Sequence, residues 1–262
     1  LTTEENTYIS GQSRLVVGYL DGFYPFSYEE KGEFKGLTRE LLEDGLSNTG
    51  LELVYVRMDS RENAQLALKN GEIDILAYCT NTKAALAEYN LKKVCNYANV
   101  PLVLVTDKNA DIDDIETLAT VSFLQAHTTT SIQTDNTEIV ICDTQQECID
   151  ALKDGTVDAV LCDGYLAEYL LRTEFRYENL TIKNVFTSEY PITMAVREGD
   201  RLLASILEKT VPVIASKRIN TYMLQENTYP LMSVFDFVRN HSIWIICILL
   251  AVIFLIIFVA VH

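Results

Sequence analysis

One stretch of this chain is used twice. Residues 55–79 align without a gap with residues 139–163. The match is tightest where Ala67-Leu68-Lys69-Asn70-Gly71-Glu72-Ile73-Asp74 meets Ala151-Leu152-Lys153-Asp154-Gly155-Thr156-Val157-Asp158. Upstream, Asp59-Ser60 aligns with Asp143-Thr144. The unit is too widely spaced for a solenoid, so it reads as one supersecondary element present once in each of two similar lobes. Two lobes leave a gap between them, and gaps between domains are where small molecules bind.

The unit has readable chemistry. Residues 54–58 and 138–142 are rich in β-branched side chains and are expected to be strands. Asp59 with Glu62, and Thr144 with Glu147, have the spacing of a capping box, so a helix is expected to start at each. Leu66, Leu68, Ile149 and Leu152 supply the apolar faces. Gly71 and Gly155 stand where a helix ends in a left-handed residue. The short apolar runs 73–78 and 157–162 then read as buried parallel strands. Strand, helix, strand, twice, implies right-handed crossovers and a mostly parallel sheet in each lobe. Asp74 and Asp158 stand at strand starts and are expected to be structural.

Each unit is preceded by a further strand and helix: residues 15–20 and 37–46 in the first lobe, 121–124 and a shorter helix beginning near Thr128 in the second. The connection 101–120 contains a short strand at 103–105 and a polar, acidic stretch at 107–116. The chain returns near 191–196, and two crossings make a hinge. The expected division is 14–104 with 192–227 for lobe 1, 105–191 for lobe 2, and a juxtamembrane linker at 228–242. The fold class is therefore α/β: a two-lobed clamshell, each lobe a mostly parallel sheet with flanking helices, plus a C-terminal transmembrane helix.

That last element rests on residues 243–261, which hold no charged side chain. At about 1.5 Å per residue such a helix comes close to the ~30 Å hydrocarbon thickness of a bilayer. Trp244 near its start suits an interfacial anchor. The chain opens at Leu1 with no apolar leader, and a leader or an earlier span upstream is expected. The binding module is then extracellular or periplasmic, held at the cell membrane by a single span.

Composition narrows the partners. With 48% hydrophobic and 22% charged residues the 262-residue chain has material for packed cores. A net charge of -16 disfavours nucleic acid and anionic headgroups. Its plainer meaning is solubility. Five of the six cysteines lie outside the apolar run, and outside the cell such thiols invite pairing. Cys142 with Cys148, and Cys79 with Cys95, are the candidate pairs, as disulfides or as buried thiols. Neither spacing suits zinc, so no metal site is expected. The three histidines, with no Gly-x-Ser-x-Gly and no metal-binding histidine pair, leave nothing for a catalytic centre. No enzyme activity and no cofactor are expected of the module. A ligand-gated channel is set aside because 101–121 holds no run long enough to span.

Several segments, in order, resemble a family. Leu15-Val16-Val17-Gly18-Tyr19 leading to Pro25-Phe26-Ser27-Tyr28 is similar to the opening of the type 2 periplasmic solute-binding proteins, the polar amino-acid-binding branch above all. Lys35-Gly36-Leu37, Leu68-Lys69-Asn70-Gly71-Glu72-Ile73-Asp74, Gln125-Ala126-His127-Thr128-Thr129 and Val157-Asp158-Ala159-Val160-Leu161-Cys162-Asp163 follow in the family's order. The resemblance covers about residues 15–227 and implies a clamshell that closes on a small ligand. The junction Asp236-Phe237, a basic residue and an apolar run resembles that of membrane-bound bacterial sensors. In those proteins such a module precedes a cytoplasmic diguanylate cyclase or histidine kinase.

The resemblance also marks residues. An aromatic at Phe23 stacks on the ligand in the family; Phe26 is a weaker candidate, and both can equally be packing. Tyr78, Thr80 and Asn81 leave the first-repeat strand at the same rim, where Thr80 and Asn81 offer hydrogen bonds or make an ordinary loop. Thr128 and Thr129 open a helix whose free N–H groups suit a carboxylate, or serve simply as caps. Family members place ligand donors there, Thr129 being the closest match. An acidic residue at Asp163 pairs with the ligand's ammonium group in amino-acid-binding relatives; its alternative is to cap the helix beginning near Tyr165. One departure stands out. Those relatives hold the ligand's α-carboxylate with an Arg soon after the first-repeat strand, and here no Arg occurs between Arg61 and Arg172. Lys83 is the nearest cation, and Lys is not an equivalent fork. Either Lys83 substitutes, or the helix terminus suffices, or the ligand is an amine or something larger, or the site is empty and the module signals through a partner protein. The expected function is a membrane-tethered sensor for a small polar ligand, amino-acid-like or an amine, with a homodimer possible. The alternative is a membrane-anchored solute-binding protein of an ABC transporter.

Overall fold

Where the sequence alternates short apolar runs with capped helices, the chain forms an α/β mixed sheet. The structure is a computed structural model, and it describes residues 1–80, 83–125, 128, 137–173, 179–183 and 189–226. The first half runs α1 (Thr3–Ser10), β1 (Arg14–Leu20), β2 (Tyr28–Glu30), β3 (Glu33–Lys35), α2 (Leu37–Leu46), β4 (Glu52–Met58), α3 (Arg61–Asn70), β5 (Ile75–Cys79) and α4 (Lys83–Ala87). A long strand follows, β6 (Leu91–Asp107). The second half runs β7 (Thr117–Val121), β8 (Glu138–Cys142), α5 (Gln145–Lys153), β9 (Ala159–Asp163), α6 (Gly164–Thr173) and β10 (Leu180–Lys183), and β11 (Glu189–Arg197) and α7 (Arg201–Glu226) complete the described elements. By compactness Leu1–Tyr222 form one unit and Met223–His262 another.

The repeat is visible in the strand order. β4, β1 and β5 lie side by side and parallel, as do β8, β7 and β9. The helix of each repeat, α3 or α5, thus carries the chain across one intervening strand. Register repeats too: Val17 stands opposite Ile75, and Leu118 opposite Ala159, where Ile75 and Ala159 are matched positions of the duplicated unit. β5 and β9 are buried along their whole length, as central strands covered on both faces should be.

Two separate sheets were expected, and here the structure differs. The short strand at 103–105 is the tail of β6, whose 17 residues serve both halves. From Leu91 to Pro101 β6 pairs antiparallel with β11; from Leu102 to Thr106 it pairs antiparallel with β9. The exchange of partners falls at Pro101, which has no N–H to give to a ladder. Nine strands are thereby joined in one hydrogen-bonded sheet.

Local chemistry explains most of the repeat. Gly71 and Gly155 both take left-handed backbone, at φ 78° and 71°. Thr144 caps α5 by accepting from Glu147 N at 3.1 Å. The cap of α3 is Ser60 rather than Asp59, accepting from Asn63 N at 3.1 Å. Leu66 points outward, 39% exposed, and the helix packs through Ala64, Ala67 and Leu68. Asp74 Oδ2 accepts from Val16 N at 2.9 Å, and Asp158 Oδ2 from Thr117 N at 2.8 Å. Each carboxylate therefore pins the start of the neighbouring parallel strand. Helix α1 was not anticipated; Thr2 and Glu5 cap it in a reciprocal box.

Among the described residues the cysteines at 79, 95, 142, 148 and 162 form no disulfide. Cys148 is hydrogen-bonded to Cys142, and burial holds its thiol protonated. None of the helices among the described residues is long and apolar enough to cross a membrane. The run 243–261, the linker 228–242 and Cys247 lie outside the described residues.

Asp158→Ala removes the acceptor of the Glu116 and Thr117 N–H groups and of the Thr117 hydroxyl. These groups are exposed and water replaces part of the loss, so the expected cost is about 1 kcal/mol. A urea titration with unchanged slope and a lowered midpoint would report it.

Candidate functional site

The parallel strands of both halves end toward one another. After β1 the chain turns through Phe23, whose N–H donates to Ser27 O at 2.9 Å and whose carbonyl accepts from Phe26 N at 2.8 Å. This loop is fastened to α2: Leu37 N donates to Pro25 O at 3.0 Å and Thr38 N to Phe26 O at 3.1 Å. Gly36 makes the approach possible. Its φ is +115°, and a Cβ there would stand 2.3 Å from Phe26 O. That is the physical content of Lys35-Gly36-Leu37.

The loop presents the half-buried Phe23, whose ring stacks on Tyr78 of β5 with centroids 4.5 Å apart. Arg61, the first residue of α3, comes in beside them. Its guanidinium carbon lies 5.0 Å from the Phe23 centroid and 3.9 Å from that of Phe123, which follows β7 in the other half. Both are cation–π distances. Nη1 of Arg61 donates to Thr80 Oγ1, while Nη2 is buried without a hydrogen-bond partner.

From the other side β9 brings Asp163, wholly buried at its end. Asp163 Oδ1 accepts from Tyr165 N at 2.8 Å and Leu166 N at 3.2 Å, so it caps α6. Oδ2 accepts from the Tyr190 hydroxyl of β11 at 2.9 Å, and Tyr190 meets the Tyr78 hydroxyl at 3.2 Å. Gln145, first residue of α5, accepts from Asp163 N at 2.6 Å through Oε1 and leaves Nε2 buried and unpartnered. Further aromatic pairs join the halves: Phe26 edge-on to Tyr165 at 5.5 Å and Tyr24 stacked on Tyr169 at 3.9 Å.

The electrostatics follow from burial. Desolvation pushes the Asp163 carboxyl up to about 6, against the pull of its hydrogen bonds from Leu166 N, the Tyr190 hydroxyl and Tyr165 N. Desolvation also lowers the Arg61 pKa and raises those of Tyr78 and Tyr190. A half-buried cation and a buried carboxylate thus flank a pair of neutral hydroxyls. Aromatic faces with one donor fork and one acceptor suit a small zwitterionic or polar solute.

The sequence-derived candidates are brought together unevenly. Phe23, Tyr78, Thr80 and Asp163 belong to this cluster. Phe26 is fully buried beneath it. Thr128 is buried and donates to Gln125 O at 2.7 Å. Lys83 is exposed at the start of α4. Asn81 and Thr129 lie outside the described residues. Arg61, Phe123, Gln145 and Tyr190 were missed. For two of them a signal existed: Arg61 and Gln145 are matched positions of the repeat, one residue after each helix cap.

Comparison with known proteins identifies the family and the fold. Residues 15–218 match the family model of the bacterial extracellular solute-binding proteins, family 3. The chain belongs to that family. No curated protein matches it in sequence. Among solved structures, the periplasmic VFT2 domain of Bordetella pertussis BvgS superposes with a TM-score of 0.76 at 23% identity, over 86% of this chain and 97% of that one. The P235GK mutant of the T. maritima arginine-binding protein ArgBP gives 0.65 at 21%, over 85% and 98%. The GluR0 ligand-binding core in complex with L-glutamate gives 0.67 at 19%, over 81% and 97%. At these identities the likeness is one of fold.

Two outcomes follow for the site. Gly36→Ala, strained in φ and driven into the Pro25 and Phe26 carbonyls, should destabilise the chain by about 2 kcal/mol or more, measured by denaturant unfolding. Folding raises the Asp163 pKa from 3.8 to about 6, so the folded chain binds the extra proton. The associated stability is fully present below the unfolded value and is lost as pH rises through about 6. The Asp163 contribution to the unfolding free energy should therefore fall by about 2–3 kcal/mol from low to neutral pH, read as the difference between the pH profiles of the wild type and Asp163→Asn.

Proposed function

We propose that this family 3 solute-binding protein is the extracellular or periplasmic sensor module of a membrane-bound receptor, and that its two halves are lobes of a clamshell closing on a small, amino-acid-like solute. In this reading lobe 1 is 14–104 with 192–227 and lobe 2 is 105–191. Residues 228–242 link the module to a span at 243–261, and the span passes the shift to a cytoplasmic output domain. Phe23, Tyr78, Thr80 and Asp163 make the central contacts; Phe26 backs them; Asn81, Lys83, Thr128 and Thr129 are the further candidates for contact with the solute.

One observation carries the reading. The repeat brings matched strand ends to a single aromatic cluster in which Phe23, Tyr78 and Arg61 of one half meet Phe123 and Asp163 of the other. Rings that stack on a planar or aliphatic solute and a carboxylate that pairs with an ammonium are the parts such a site needs. The names of solved relatives support the solute class: ArgBP, and a GluR0 core in complex with L-glutamate. A solute that prefers the closed shape shifts the balance by its differential affinity alone.

Titration of the purified chain with amino acids and amines, followed by melting temperature, tests this. A solute present at one hundred times its Kd should add about 2.7 kcal/mol of stability, an upward shift of about 5–10 °C for a domain of this size. No shift with any solute would contradict the function.

A further inference from the structure

The strand order separates the two cysteine pairs that lie close in sequence. Cys79 ends β5 and Cys95 lies in β6, with β11 between them. Thr193 of β11 stands opposite Cys79 on one side and opposite Asn96 on the other. Two strand spacings put the Cys79 and Cys95 backbones about 10 Å apart, beyond the roughly 7 Å that a disulfide bridges. Cys142 and Cys162 are likewise held apart by β7, in which Val121 faces Cys142. Cys142 with Cys148 is different. Cys142 ends β8, Cys148 is the fourth residue of α5, and their thiols are already hydrogen-bonded.

The duplicated unit supports this closeness. The matched positions in the first half are Met58 and Ala64, and both pack in one hydrophobic cluster. The end of the strand and the start of the helix therefore meet in both halves, through apolar contact in one and two thiols in the other. Access to those thiols is unequal. Among the described residues β8 is the outer strand of the sheet, and Cys142 at its end is half-buried, whereas Cys148 is fully buried. An external reagent reaches Cys142 first, with Cys148 behind it.

We propose that Cys142 and Cys148 are a redox-active pair, a modification site at which an external disulfide closes an intrachain bond across the start of α5. The Cys142 thiol gives its proton to solvent, and its sulfur attacks one sulfur of the reagent. The S–S bond of the reagent breaks, and one thiolate leaves. Cys148 then loses its proton to solvent and attacks the Cys142 sulfur of the mixed disulfide, and the second thiolate leaves as the Cys142–Cys148 bond forms. Two electrons pass from the cysteine sulfurs to the reagent, which ends as two thiols. The bond encloses Thr144, the cap of α5, and Gln145, which accepts from Asp163 N at 2.6 Å. Closing it fixes the turn that holds the end of β9. The extracellular or periplasmic setting proposed above is one in which disulfides form and persist, but the pairing itself does not depend on any solute being bound.

The test uses the full chain, reduced and then exposed to oxidised glutathione, with the remaining thiols alkylated. Trypsin releases both cysteines in one peptide, residues 109–153. A bond between them lowers the mass of that peptide by two hydrogens and blocks its alkylation. The wild type should close this bond, and a reducing agent should reopen it. Its melting temperature should rise by about 5 °C on oxidation. Cys148→Ala, which installs the residue found at the matched Ala64, should hold Cys142 as a mixed disulfide with glutathione and gain no such rise. Cys142→Ser should leave Cys148 unreacted. Should a variant fail to fold, the wild-type peptide map decides alone. Open thiols at both positions after oxidation, a bond from either one to another cysteine, or a Cys148→Ala variant whose Cys142 takes up no glutathione would overturn the proposal, whether or not the chain binds a solute.

Discussion

The arrangement depends on one strand with two sets of partners. β6 gives its first part to β11 and its second to β9, and it changes over at Pro101. Each half then grows outward by parallel pairing from its own central strand. Because β5 and β9 hang from this common frame on opposite sides, their ends are held within side-chain reach. A loop of the length suggested by the sequence would leave that spacing loose. Backbone hydrogen bonds along a strand fix it to within the play of the hinge.

The side chains at the junction carry unusual costs for a structural contact. Asp163 is wholly and Arg61 partly withdrawn from water, and they flank hydroxyls rather than each other. A stability-optimised interface would use apolar residues or a direct ion pair. Strain and unmet donors of this sort gather where a molecule has work to do beyond folding.

Much of the fold could be read directly. Gly71 and Gly155 marked helix ends because only a left-handed backbone fits there. Asp74 and Asp158 were recognised as structural, and their bonds to Val16 and Thr117 explain why both copies keep them. The length of β6 was hidden because Pro101 reads as a break, when its lack of an N–H is what permits a change of partner. Arg61 was hidden for a different reason. In a sequence it belongs to the polar first turn of a helix, and only the packing of Phe23 and Phe123 around it takes the charge partly out of water. Its alignment with Gln145 was the clue available.

The central claim is that the halves are hinged jaws on a shared strand. Spin labels at Asp59 and Asp143, matched exposed residues beside the strand ends of each half, measure it directly. The distance distribution should contain a longer component that disappears in favour of a shorter one when a bound α-amino acid saturates the chain. A single distance, the same with and without solute, would contradict the account.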